Sequence, residues 1–578
     1  MTDTSVMPPA GGGWSPPPPP PPPAAADAVV APRHRRRAIA VALIAIVVVA
    51  GTVGGILGFR LLAGSADSLS AMAPSDTVVY VNAHLDPSAG QKLALNGVLD
   101  KFPTLTGSSR DTTINEWIDQ ALQGSGLTHT DVRPWLGNDI SMVIPSSALS
   151  SLASSSSSAT PDIAFLVSST NDSQAQAAIT TLRQKSGQSA QWVTSTYDGV
   201  SLQIATGAGM SGAFAVTNHT FIYGTSANAV HEVIDTSQGK HAALPANAGY
   251  VTAVGQVPSD RLGLAFVDVS AIAQALSKNA GSLFPQHTFD SLQGYTGFAA
   301  ALVAHSNGVS VNAVEDFDPS KLSSQQRSLV GQAADVNGSL AFMPKATYAA
   351  GTMTGLKQIL QGAVDLAGSG FGFDISSVLT QLGITGPDGL INHVTGDAGI
   401  DLTPASAGAI PGGAVVIGTD SDASAQKFVD SLLQTICGGD CSSATTQHDG
   451  DAIISSLPLP FVGQTTNLRP SWSVYHGWII VGSSAEQVKA ALDADHTGST
   501  LTSNPDYTAV MGQVGGSNNS SLFIDIQPML SAIRATLSPA DQSQFDADTA
   551  NLKPLKAFGA ATHSASDHVS IDVFTLIQ

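Results

Sequence analysis

Two aspartates occupy matching runs, GLAFVDVSAIAQAL at Gly263–Leu276 and SLFIDIQPMLSAI at Ser521–Ile533. In each, an apolar strand-like run carries one carboxylate, Asp268 or Asp525, and then gives way to helical spacing. One aspartate from each of two lobes is the layout of a carboxylate pair that shares a proton. Such a pair needs Asp-Thr/Ser-Gly, so that small residues let the carboxyls approach each other. Here the runs read Asp268-Val269-Ser270 and Asp525-Ile526-Gln527, with no glycine and with β-branched neighbours. The expected role is structural: each carboxylate closes a half-buried strand just before a helix, whose free amides favour negative charge.

The other chemical candidates are local. Cys437 and Cys441, in ICGGDC, are the only cysteines. Outside the cytoplasm so close a pair oxidises, and Gly438-Gly439-Asp440 supplies a tight loop, so a Cys437–Cys441 disulfide is expected. It is read as a staple, because CxxxC is not the CxxC of thiol–disulfide enzymes, and so short a loop gains little chain entropy. Asp493-Ala494-Asp495-His496-Thr497-Gly498 opens like an EF-hand, but the twelfth position is Asn504, where a bidentate glutamate is required. Ser424-Ala425-Gln426-Lys427 fits the SxxK of penicillin-recognising enzymes without its companion SDN and KTG elements. There is no HExxH, GxSxG or GxxxxGK[ST]. No catalytic, cofactor-binding or metal-binding residue is therefore assigned, and binding is favoured over catalysis.

The elements around these residues repeat. IAFLVSSTNDSQAQAAITTLRQ (Ile163–Gln184) matches AVVIGTDSDASAQKFVDSLLQ (Ala414–Gln434), and GAFAVTNHTFIYGTSANAVHEVID (Gly212–Asp235) matches SWSVYHGWIIVGSSAEQVKAALD (Ser471–Asp493). Asn247–Ala273 matches Asn504–Leu530, and Gly297–Phe317 matches Ala557–Leu576, in the same order. This is the pattern of a tandem duplication of a unit of about 240 residues, not of a short-period solenoid. Within a unit the periodicity is mixed. Thr77–Ala83 alternates like a strand, Ser88–Phe102 and Ser173–Gln184 have helical spacing, and Gly212–Gly224 reads as a hairpin turning at Asn218-His219. A second hairpin is expected around Ser306-Asn307-Gly308, and Ser146–Thr160 reads as a mobile loop. The fold class is α+β, with largely antiparallel sheets and helices on one face.

The N-terminal part obeys different rules. Pro16–Pro23 is an unbroken proline run in a tail, 1–37, expected to be disordered or extended. Arg33–Arg37 (RHRRR) precedes Ala38–Phe59, 22 residues without a charge. As a helix they reach about 33 Å, enough for a hydrocarbon core of about 30 Å. The arginines place the N-terminus in the cytoplasm and the body outside. The run is longer than a signal-peptide core, so a retained signal-anchor helix, 38–60, is expected, with a bilayer as partner through Ala38–Phe59. Gly51 and Gly55 form a GxxxG pair that would let two such helices pair as a homodimer. The remaining boundaries are a linker at 61–73, a first repeat at 74–318, a junction at 319–339 and a second repeat at 340–578.

Net charge is −20 over 578 residues, of which charged residues make up only 12%. Residues 1–60 hold five arginines against two aspartates, so the remainder carries −23. A field of that sign excludes nucleic acid as a direct ligand of the body. The opening of the body, APSDTVVYVNAHLDPSAGQKLALNGVLDKFP (Ala73–Pro103), resembles the start of the bacterial domain-of-unknown-function 3352 family. Members of that family resemble this chain in layout: a basic flank, one anchor helix and a long exported α+β region. The resemblance implies a single-pass protein of the cell membrane and brings no catalytic residues. The expected function is a binding or scaffolding module of the cell envelope. The alternatives are a carrier of a lipid or other apolar ligand, and an envelope hydrolase with a dispersed site.

Overall fold

The sequence TVVYVNAH makes strand β1 (Thr77–His84), because its β-branched and aromatic residues pack well on a pleated surface. Pro87 then removes an amide and Ser88 caps the next helix, its Oγ accepting from Gln91 N at 3.2 Å, so the chain turns into α1 (Ala89–Leu99). The computed structural model describes most residues from Asp67 to Gln578. Residues 1–66 lie outside the description, as do stretches within 103–126, 154–160, 187–189, 208–210, 280–293, 324–336, 362–388, 405–411, 438–442, 459–468 and 516–517. The proline tail, the span Ala38–Phe59, Gly51, Gly55 and, within the 319–339 junction, 324–325, 328–329 and 331–336 are therefore outside it. Among the described residues no helix is long and apolar enough to cross a membrane.

The next nine strands are β2 (Leu136–Pro145), β3 (Ala164–Ser169), β4 (Ala190–Tyr197), β5 (Val200–Gly207), β6 (Gly212–Thr217), β7 (Thr220–Gly224), β8 (Gly263–Val267), β9 (Tyr295–His305) and β10 (Gly308–Phe317). Ten more follow: β11 (Ala349–Met353), β12 (Val394–Leu402), β13 (Ala414–Thr419), β14 (Thr445–Asp449), β15 (Ala452–Ser456), β16 (Ser471–Tyr475), β17 (Trp478–Gly482), β18 (Ser520–Asp525), β19 (Leu555–Ser564) and β20 (His568–Ile577). All pair antiparallel in one sheet. Its spatial order begins β4-β5-β6-β7-β3-β2-β1-β8-β9-β10. It continues β20-β19-β18-β11-β12-β13-β17-β16-β15-β14. The two series join where β10 pairs with β20, from Gly308 opposite Leu576 to Asp316 opposite His568. Among the described residues, the helices of eight residues or more after α1 are α2 (Ser146–Ala153), α3 (Asp172–Ser186), α4 (Ala227–Ser237), α5 (Ala248–Gln256) and α6 (Val269–Asn279). In the second series they are α7 (Asp422–Ile436), α8 (Ala485–Thr497), α9 (Pro505–Val514), α10 (Ile526–Thr536) and α11 (Pro539–Asp548).

The fold departs from the sequence-based expectation in three ways. The chain forms one sheet rather than several. Helices cover both faces rather than one. On the first face α4 and α5 pack over Tyr80, Leu166, Ile222 and Phe266. On the second, α3 covers Phe214 and Phe221, while α2 and α6 cover Val79 and Ile144. The cause is visible in β3 and β7: Phe165, Val167, Phe221 and Tyr223 alternate with Leu166 and Ile222, so both faces of these strands are apolar. The third correction is that Ser146–Ala153 is helix, not loop, because Ala148 and Leu149 pack on Val79 and Ile144. The hairpins form as expected. Asn218 and His219 both have positive φ, +50° and +55°, the geometry of a two-residue turn matched to strand twist.

The joint between the series is apolar on one side. Phe574 and Leu576 of β20 are fully buried with Phe523, Val510 and Met511. The ring of Phe574 also sits against Gly308, where any side chain would collide with it. Phe574→Ala is expected to cost about 3–5 kcal/mol through lost burial and a cavity. Phe558→Ala, at a half-buried position on β19, should cost clearly less. Denaturant midpoints of the two variants measure the difference.

Candidate buried polar site

Strand β1 places Tyr80, Asn82 and His84 on one side, and Asp86 follows just beyond the strand. All four are less than a tenth exposed. The strand period of two makes this a polar row pointing into the interior, towards the 3-10 turn Leu69–Met72. Tyr80 OH donates to Asp67 Oδ1 at 2.6 Å and lies 3.0 Å from Ser141 Oγ. Asn82 Nδ2 donates to the same two atoms, at 3.3 and 3.0 Å. Directly across the ladder, His84 Nδ1 meets Asp139 Oδ1 at 2.6 Å, and Ser68 Oγ donates to Asp139 Oδ2 at 3.4 Å. Asp86 forms an ion pair with Lys92 of α1.

Burial dominates the electrostatics. It raises the Asp67 carboxyl above its ordinary range and lifts the Tyr80 phenol well above its own. Tyr250, packed edge-on against Tyr80, is raised to about 12, and burial lowers the neighbouring Arg261. Asp67 Oδ2, Asn82 Oδ1 and Arg261 Nε are buried without a hydrogen-bond partner among the described residues. Unsatisfied polar atoms of this kind are rare in a protein interior and mark this end of β1 as polar inside. The His84–Asp139 pair has the geometry of an imidazole fixed in orientation by a carboxylate. Among the described residues no hydroxyl or thiol is hydrogen-bonded to His84, so no activated nucleophile accompanies it.

The second series lacks this row. In equivalent register, Ala350 stands opposite Phe523 as Tyr80 stands opposite Phe266, and Thr352 faces Gly399 as Asn82 faces Ser141. Gly399 leaves room for Met343, which fills the space with an apolar side chain.

The residues weighed from sequence are scattered. Asp268 Oδ1 accepts from Ala271 N at 2.8 Å and Ser270 Oγ at 2.9 Å, so it caps α6. Asp525 stands at the N-cap of α10, and burial pushes its carboxyl up to about 6. Four strands separate β8 from β18, roughly 24 Å at about 4.8 Å per strand, so the two carboxylates form no pair. Asp493, Asp495 and Thr497 lie within α8 rather than in a calcium loop. Asp449, Asp493 and His496 do cluster, but the Lys489 ammonium sits 2.8 Å from both carboxylates and holds the cation position itself. The Ser424 hydroxyl lies 2.9 Å from Ser421 Oγ, at the start of α7. Cys437 caps the other end of α7 and is disulfide-bonded; Cys441 lies outside the described residues. The polar row of β1 went unread, although its signal was there: Tyr80, Asn82, His84 and Asp86 alternate strictly with Val81, Ala83 and Leu85.

Two measurements probe these groups. His84→Ala and Asp139→Ala should each destabilise by about 3–5 kcal/mol, and the double variant by clearly less than their sum, because removing one partner leaves the other buried alone. Asp401, on β12, accepts from Ala414 N at 2.7 Å and Thr347 Oγ1 at 3.1 Å, and burial raises its carboxyl to about 6. A raised carboxyl stabilises the fold as the neutral acid, fully below about 3.8 and not at all once pH has risen through about 6. Asp401→Asn should therefore remove up to about 3 kcal/mol of the stability lost between pH 4 and 7. Thermal midpoints of the variant and the parent across that range test this.

The family described as "Protein of unknown function (DUF3352)" matches residues 38–575. No curated protein matches the chain. Among solved structures, the chain is similar to crystal form I of TP0453 at 9% identity, over 44% of this chain and 80% of that one, with a TM-score of 0.19. Crystal form III of TP0453 gives 9% identity over 46% and 85%, with a TM-score of 0.21. Overlaps that low carry no weight for the fold.

Proposed function

The chain belongs to the DUF3352 family, and on that premise we propose that it is a single-pass membrane protein whose duplicated extracytoplasmic body binds or scaffolds other components of the cell envelope. The observation that carries this reading is the single sheet built from two ten-strand series with one internal order, which gives a long continuous surface. The matched order of strands and helices, with Asp268 and Asp525 at equivalent helix starts, supports a tandem duplication. Ala38–Phe59, behind RHRRR, supports the anchor and the orientation. The bonded Cys437 and the sparse charge suit an oxidising compartment, and a Cys437–Cys441 staple fits both. The −23 carried beyond residue 60 argues against nucleic acid and leaves neutral or basic partners.

Protease added to intact cells stripped of their wall is the direct test. The body, 74–578, is expected to be cut while an epitope on the proline tail stays protected. A protected body with an accessible tail would reverse the topology and remove the envelope assignment.

A further inference from the structure

The second sheet face differs between the two series. In the first, α2 lies over it beside α6: Ala148 and Leu149 of α2, with Ala271 and Ile272 of α6, pack on the cross-strand pairs Val79–Ile144 and Val81–Met142. Ile144 is left 8% exposed. The equivalent pairs in the second series are Ala349–Leu402 and Gly351–Ile400. There Leu402 is 43% and Ile400 51% exposed, and α10, which occupies the place of α6, buries no residue fully and leaves Ile533 exposed. The opening runs sideways. Leu522, Gly351, Ile400, Val415 and Val481 are successive cross-strand neighbours over five strands, and their four large side chains are 37–51% exposed. From β18 across to β16 the residues sharing this face are all uncharged.

We propose that this slot, between α10 and the Ile400 row, takes an amphipathic helix from another polypeptide, as α2 fills the equivalent slot in the first series. The covered slot supplies the template, a short helix presenting alanine and leucine to the sheet. Charge selects the source. A second copy carries the same −23, and a bilayer surface rich in anionic head groups carries the same sign, so both are repelled. A helix with an aliphatic face and lysines on its other side meets an uncharged floor within a negative body. The proposal names the partner class for the binding reading and rests on that reading. Its test does not depend on membrane topology, so the two can fail separately.

The experiment uses the full chain in lipid nanodiscs and a fluorescent hydrocarbon-stapled helix of about 14 residues, roughly 20 Å long, with an Ala/Leu face and a lysine face. Anisotropy should show saturable binding to the parent chain. Ile400→Lys and Val415→Lys should each weaken it by about tenfold or more, whereas Val193→Lys, at a more exposed position on β4, should leave it unchanged. The thermal midpoints of all three variants should match the parent. Absence of saturable binding, or binding indifferent to Ile400→Lys, overturns the proposal. So does self-association of the parent that Ile400→Lys abolishes, which would assign the slot to a second copy. Phospholipid retained by the parent and lost in Ile400→Lys, seen in native mass spectra, would assign it to lipid and overturn the proposal likewise.

Discussion

The pairing of β10 with β20 is the constraint on which the rest of the architecture depends. Each ten-strand series would otherwise end on a long inner edge, a row of unpaired amides and carbonyls that templates aggregation. Joining the two edges satisfies both rows at once and turns two sheets into one. The joint is reinforced on its faces. Asn312 Nδ2 donates to Asp572 Oδ1 across it at 2.6 Å, and α1 of the first series packs on Ile577 of the last strand. Lys101 also donates to the Ile577 carbonyl. The free outer edges, β4 and β14, are by contrast rich in Thr, Gln and Ser or His and largely exposed, which suits strands that must not recruit further partners.

Two similar series need not keep similar interiors, and here they do not. Tyr80, Asn82 and Ser141 in the first are Ala350, Thr352 and Gly399 in the second. The substitution removes a polar interior and lets Met343 settle into it. On the opposite face the asymmetry reverses: α2 and α6 cover the first series, while Ile400 and Leu402 of the second are about half exposed. The two series share a strand order and differ in which face carries polar or exposed residues.

Much of this was legible in the sequence, and the failures have physical causes. The turn at Asn218-His219 and the structural role of Asp268 follow from short-range rules of turn geometry and capping. The single sheet was not legible, because pairing between β10 and β20 joins residues about 260 positions apart and leaves no local trace. Helices on both faces were missed because apolar runs such as AFLV do not say which side is buried, only that both can be. The Tyr80–Asp86 row was missed because alternation reports two faces without saying which one meets water. There the polar set points inward, held by Asp67 and Asp139.

Chain order adds a consequence of timing. The first series is complete at Phe317, yet the edge that closes it, β20, is the last of the twenty strands to leave the ribosome. While the second series is being made, β10 waits with its amides bare. Loop closure over so long a span is slow, and an open edge is hazardous meanwhile. A fold of this kind favours either rapid synthesis or a chaperone that shields one particular strand, and truncated products should be stickier than either finished half.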